Sequence, residues 1–210
     1  MRDWGEKFQK ISPNRQIMSG LTLFDDAPRE SLADINAELL RRARGLPQYA
    51  GKVFVLGEGR EGVRVASVGE SPGPPDAATG RPFTGPAGEL LERILGAVGL
   101  RREECYLTNV VKFICAGEDL ATDDLRFFTP YLHRELAAVG APLIIAFGNT
   151  PARALLKTTE SITRLRGVWR DYYDMRVMPT FNPAYLLRDP TKKREVWEDM
   201  KLVREALKQI

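Results

Sequence analysis

Histidine occurs once and cysteine twice among the 210 residues of the chain. A histidine-based triad could draw only on His133, which falls in the middle of a helical pattern. The two thiols, Cys105 and Cys115, cannot form a thiolate cluster alone and suggest no disulfide framework, so they read as packed side chains. No run of eighteen apolar residues is present, and the opening "MRDWGEKFQK" lacks the apolar core of a signal peptide. Neither a membrane span nor export is therefore expected, and the expected compartment is the cytoplasm. Internal repeats and low-complexity tracts are absent as well. What is present, 43% apolar and 28% charged residues, is the composition of one soluble globular domain long enough to bury a core.

Charge is spread unevenly. The net value is only +3, yet residues 151–194 carry ten Lys or Arg against four Asp or Glu. Such a surplus suits a phosphate-facing surface, and equally a solvated basic face.

Residues 1–28 are polar and mixed without a clear period and are expected to form an N-terminal extension; 29–210 read as a single domain. A helix is expected from Arg29 to Arg44, with Leu32, Ile35 and Leu39 on one face and Gly45 as its stop. "KVFVL", "VRVAS", "CYLTNVV", "PLIIAF", "GVWRDYY" and "MRVMPTF" read as strands, rich in β-branched residues. Between them, "LLERILGAVG", Asp123 to Val139 and "TPARALL" read as helices, the last with Thr150 as cap and Pro151 at its first position. A final helix from Asp189 and Pro190 carries the apolar stripe Val196, Met200, Val203 and Leu207. Alternating strands and helices imply a three-layer α/β/α domain around a mostly parallel sheet. Ligands bind such sheets beyond the carboxyl ends of the strands, where three segments emerge: Gly69 to Phe83, Asn109 onward and Asn182 onward.

The first of these, "VGESPGPPDAATGRPF", holds four prolines and three glycines. "GESPG" matches the nucleophile elbow of serine hydrolases, but the residue after the serine must donate its backbone N–H to the oxyanion, and Pro72 has none. "PGPPD" is also expected to exclude the helix that follows an elbow. "GEGREG", Gly57 to Gly62, fits a dinucleotide-binding fingerprint, yet "VRVASVG" after it reads as a strand, so a hairpin turn is expected. What remains is a stiff loop whose prolines reduce the entropy of ordering and whose glycines let a flat ligand approach the backbone.

"GESPGPPDAATGRPFTGPAGELLERIL", followed by "YLTNVVK", "LIIAFGNTPARALL" and "TFNPAYLLRDPTKKREVWEDM", resembles the uracil-DNA glycosylase superfamily, most closely its family 4 branch. The resemblance runs from about Val53 to the C-terminus. It implies a central, mostly parallel four-stranded sheet and a monofunctional enzyme. Such an enzyme flips a deaminated base out of DNA, reads its Watson–Crick edge and hydrolyses the N-glycosidic bond. It places Phe83 as the stacking ring and Asn109 as the carboxamide that pairs with uracil N3–H and O4, with Gly69, Pro72 and Gly73 lining the base pocket. Glu70 and Asp76 become carboxylates near the sugar or the attacking water, and Ser71 a positioner of that water; either acid could instead be only a loop cap. Leu186 matches the wedge that fills the gap left by the flipped base, and Arg188, Lys192, Lys193 and Arg194 could hold phosphates. A packed leucine and a solvated helix end are the alternatives.

Two positions depart from the family. Asn182 stands where the family has histidine; its amide can donate to uracil O2 but cannot become cationic, and losing one such donor lowers rates by up to about 10²–10³. The family 4 branch also holds a four-iron cluster on four cysteines. No cysteine precedes Cys105 here, and the two later ligand positions are Phe113 and Phe128, so no cluster is expected and apolar packing replaces it. No lysine is placed as a Schiff-base nucleophile, so strand cleavage is not expected. The expected partner is DNA containing uracil or another deaminated base, such as hypoxanthine or xanthine, bound by a monomer. Asn182 and Ser71 also leave open a module of the same fold that senses damage without efficient catalysis.

Overall fold

The computed structural model describes residues 30–115 and 120–210; the expected N-terminal extension lies outside the described residues. Five strands form one sheet: β1 (Val65–Gly69), β2 (Cys105–Asn109), β3 (Leu143–Phe147), β4 (Arg170–Tyr172) and β5 (Met175–Thr180), in the order β2-β1-β3-β5-β4. The four strands β2, β1, β3 and β5 are mutually parallel, and β4 adds a short antiparallel edge to β5. The sheet therefore has five strands rather than the four implied by the resemblance, the extra one being the β4 hairpin arm. Every residue of β1, β2 and β3 is buried. Successive side chains point to opposite faces, so both faces are covered, and the three-layer reading holds.

Among the described residues eight α-helices supply the cover: α1 (Leu32–Arg44), α2 (Pro74–Thr79), α3 (Gly85–Gly96), α4 (Thr122–Val139), α5 (Asn149–Leu156), α6 (Ile162–Leu165), α7 (Pro183–Arg188) and α8 (Lys193–Leu207). α1 buries Ile35, Leu39 and Ala43, one residue per turn, and packs on α4. Ser31 caps its start by accepting from the Asp34 N–H at 3.2 Å. In α8 the expected stripe Val196, Met200, Val203 and Leu207 is buried, and the helix packs on β5. It starts later than expected, because Asp189 caps a separate 3₁₀ turn over Pro190–Lys192.

Three local readings are corrected. "KVFVL" is not a strand: it runs along the outer edge of β2, with Val55 N–H donating to Lys112 O at 2.7 Å and Glu58 bridged to Leu107. "GEGREG" is consequently no hairpin turn. Gly57 and Gly59 are small because β2 passes so close: a Cβ on Gly57 would stand 2.0 Å from the Tyr106 hydroxyl, and one on Gly59 2.6 Å from the Cys105 carbonyl. "PGPPD" does open a helix, α2, since Pro74 and Pro75 occupy its first turn, where no N–H needs an intrahelical partner. Pro72, which has no backbone N–H to offer an oxyanion, still excludes a nucleophile elbow. α5 likewise begins at Asn149 with Gly148 as cap, each two residues before the expected Pro151 and Thr150. Among the described residues, no helix is long and apolar enough to cross a membrane.

Candidate active site

Because β1, β2, β3 and β5 run parallel, their carboxyl ends share one rim. Gly69 pairs with Asn109 and Phe147 with Thr180, so the loops leaving those positions emerge side by side. The pairing of β1 with β2 continues past the strands, with Val110 N–H donating to Gly69 O at 2.9 Å and Val111 N–H to Glu70 O at 3.0 Å. Above this rim lies a cleft of about 920 Å³ lined by residues of all the expected segments, among them Glu70, Phe83, Asn109 and Asn182.

The floor is set by a glycine. A Cβ on Gly69 would stand 2.3 Å from Asn109 Oδ1 and 2.7 Å from Phe83 Cζ, so the carboxamide and the ring tip meet over one backbone position that only glycine leaves free. Phe83 also packs edge-on against Phe147, ring centroids 6.4 Å apart. Asn109 is 3% exposed, and its Nδ2 has no hydrogen-bond partner among the described residues. A buried amide donor left unpaired is expensive in a folded chain, so a group that completes it on binding is favoured. Behind it, the wholly buried Lys112 ammonium donates to Asn109 O at 2.8 Å, Thr108 Oγ1 at 2.6 Å and Glu135 Oε2 at 2.7 Å, fixing the turn that carries the amide.

The four candidate catalytic side chains are differently placed. Glu70 is exposed on the cleft wall, and its carboxylate accepts from the Thr150 hydroxyl of α5. Ser71, Pro72 and Gly73 line the same wall. Asp76 is 7% exposed and its oxygens are taken up within the loop: Oδ2 accepts from Gly73 N–H at 2.9 Å, Oδ1 from Thr84 N–H at 2.6 Å and from Thr84 Oγ1 at 2.8 Å. The geometry is that of a loop cap, which brings the two ends of the segment carrying Phe83 together. Asn182 caps α7, its Oδ1 accepting from Ala184 N–H at 2.8 Å while Nδ2 donates to Phe147 O at 3.2 Å. Those two contacts lock the amide orientation and leave one Nδ2 hydrogen for the cleft.

On the α7 side the leucine expected as the wedge, Leu186, does not face the cleft. Leu186 is 1% exposed and packs in the core, whereas Leu187 is 44% exposed and lines the cleft beside Arg188. A short helix over "PAYLLR" sets this: one leucine must face the core, and the periodic pattern needed to tell which is only six residues long. Lys192 and Lys193 stand outside the cleft wall, Lys192 paired to Glu195 at 2.7 Å and Lys193 exposed with Arg194 at the start of α8. Asn149 and Tyr185 also line the cleft and Thr150 reaches it through Glu70; in the sequence Thr150 reads only as a helix cap, and Asn149 and Tyr185 lie in segments that match the family without a role attached. His133 is far from this chemistry in role: it is half-buried in α4, its Nδ1 paired with the Tyr172 hydroxyl, and burial pushes its imidazole below the usual range.

Residues 56–201 match the sequence model of the uracil DNA glycosylase superfamily. The chain belongs to that superfamily. It is 33% identical over 186 residues to the Type-4 uracil-DNA glycosylase of Thermotoga maritima, covering 86% of this chain and 97% of the relative. The Type-4 enzyme of Saccharolobus solfataricus is 35% identical over 168 residues, covering 74% and 77%. That of Archaeoglobus fulgidus is 31% identical over 187 residues, covering 84% and 93%.

For this superfamily member, the residues at the expected cluster position do not fit an iron–sulfur group. The rings of Phe113 and Phe128 lie 5.7 Å apart, with Tyr49 5.4 Å from each and Phe127 4.9 Å from Phe128. These side chains offer no thiolate. Cys115 is the one thiol nearby, and burial pushes it up to about 11. Burial likewise pushes Cys105 up to about 12. Among the described residues, no group of three or more His, Cys, Asp or Glu side chains could hold a metal ion.

Proposed function

We propose that this protein is a monofunctional uracil-DNA glycosylase that extrudes uracil from DNA and hydrolyses its bond to deoxyribose, a first step of base excision repair. The observation that carries the reading is the unpaired Asn109 amide meeting the Phe83 ring over Gly69. An extruded uracil stacks on that ring and pairs N3–H with Asn109 Oδ1 and O4 with Nδ2; cytosine presents the opposite pattern at both atoms and is disfavoured. As the C1′–N1 bond breaks, negative charge gathers on the base and positive charge on the sugar. The free Nδ2 hydrogen of Asn182 faces the first at O2, and the Glu70 carboxylate, oriented by Thr150, stabilises the second or aligns the water that adds to C1′. Asp76, taken up by its own loop, is assigned to holding Phe83 rather than to the chemistry.

Among the described residues no lysine lines the cleft, which supports base release without strand cleavage. Leu187 takes the wedge role in place of Leu186, and Arg188, Lys193 and Arg194 face the phosphates. The aromatic side chains at the expected cluster position support an enzyme that works without iron; stoichiometric iron and sulfide in the purified protein would contradict this. Release of base from single- and double-stranded oligonucleotides carrying uracil, hypoxanthine or xanthine tests the function. Excision of uracil is expected, and binding without release of any base would leave only a damage-sensing module.

A further inference from the structure

Phe83 has φ 53°, the left-handed region that bulky side chains rarely adopt. Something must hold it there, because relaxation of this residue would swing the ring away from Asn109. Its carbonyl oxygen is caught from two sides. The backbone of α3 passes so close that a Cβ on Gly88 would stand 2.0 Å from it. Opposite, Arg102 Nη1 donates to the Phe83 carbonyl at 2.8 Å and Nη2 to the Pro82 carbonyl at 2.6 Å. The Arg102 side chain is 9% exposed and does not line the cleft. Its fork is itself aimed by Glu58, which accepts from Nη2 at 3.0 Å and from Nε at 3.3 Å, and by Glu92 at 3.4 Å. Glu58 in turn is fixed to β2 through its backbone pair with Leu107. A planar guanidinium presents five donors in one rigid fork that meets two successive carbonyls and a bidentate carboxylate together; the three donors of a lysine ammonium, on one rotating nitrogen, reproduce only part of that geometry.

We propose that Arg102 is a positioning residue of the glycosylase site, whose guanidinium holds the Pro82 and Phe83 carbonyls and thereby fixes the ring on which the extruded base stacks. This deepens the reading of the cleft given above and rests on it. Arg102 acts only through Phe83, so its removal alters turnover and leaves the phosphate-binding surface untouched.

The test is a double-mutant cycle of Arg102→Met and Phe83→Ala, read by single-turnover uracil release and by affinity for a uracil-free oligonucleotide. Arg102→Met is expected to lower turnover by about 10²-fold, as misplacement of a reacting partner by an ångström does, with affinity for uracil-free DNA unchanged. In the Phe83→Ala background the same substitution adds nothing further, and Arg102→Lys falls between parent and Arg102→Met. Parent-level turnover in Arg102→Met, or an equal loss in both backgrounds, overturns the proposal. If Arg102→Met does not fold, Glu58→Ala goes through the same cycle: a loss erased without Phe83 supports the relay, and no loss, or one that persists, overturns it. A crystal structure of Arg102→Met, or of Glu58→Ala in that event, reads the geometry without catalysis. Phe83 is expected to leave positive φ, and an unmoved ring overturns the proposal. A parent that releases no uracil would instead sink the glycosylase reading.

Discussion

Asn182, at the position where the family resemblance puts a histidine, caps α7 by accepting from the Ala184 N–H at one end of its amide and donates to Phe147 O from the other. The exchange leaves no titratable group at that point. Uracil release by the parent should therefore show no pH limb owed to residue 182, whereas Asn182→His should match or exceed the parent rate and acquire a limb near an ordinary imidazole pKa of about 6.5. Rate–pH profiles of both proteins check this; an inert Asn182→His beside an active parent would remove the assigned role. At this scale the family resemblance points to Phe83, Asn109 and Asn182, and all three line the same cleft. The direction each side chain takes was not legible. Asp76 turns inward because the loop between Gly73 and Thr84 closes on it, and Leu186 is buried because α7 meets α3. Both are tertiary facts with no local signature.

Among the elements, the turn after β2 and helix α4 are joined by a buried ion pair, Lys112 with Glu135, in which Glu135 Oε1 keeps no partner among the described residues. Removing one charge strands the other, so Lys112→Met is expected to destabilise by about 3–5 kcal/mol in urea unfolding, and the double variant with Glu135→Met to recover most of it. Glu58 offers a second check. Arg81, then Arg102, hold its carboxyl at about 2, below its ordinary 4.5. A depressed carboxylate stabilises the fold fully above pH 4.5, and that contribution is lost as pH falls from 4.5 toward 2. Glu58→Gln should accordingly flatten this part of the acid-unfolding limb, as followed by circular dichroism. Strand and helix periods revealed most elements, since β-branched runs and i, i+4 stripes leave direct marks. α2 was hidden because prolines that break a helix interior are welcome in its first turn. "KVFVL" misled because an apolar run along a sheet edge looks like a strand whether or not it pairs.

On the whole molecule, the basic surplus of residues 151–194 ends in Arg188, Lys193 and Arg194, all exposed and close in sequence to the α7 corner of the cleft. Binding to uracil-free oligonucleotide should weaken steeply with salt, and Lys193→Ala should reduce the slope of log affinity against log salt by about 1. The layered fold and the convergence of distant turns on one rim were legible in sequence, because parallel strands send all their carboxyl ends the same way. The central claim is that Phe83 and Asn109 form one slot that reads uracil by its edge. It is tested most directly by single-turnover release of uracil and of cytosine from the same oligonucleotide by the parent and by Asn109→Ala. The account predicts strong preference for uracil in the parent and loss of both rate and preference in the folded variant. A variant that keeps the parent's uracil rate and discrimination would contradict it.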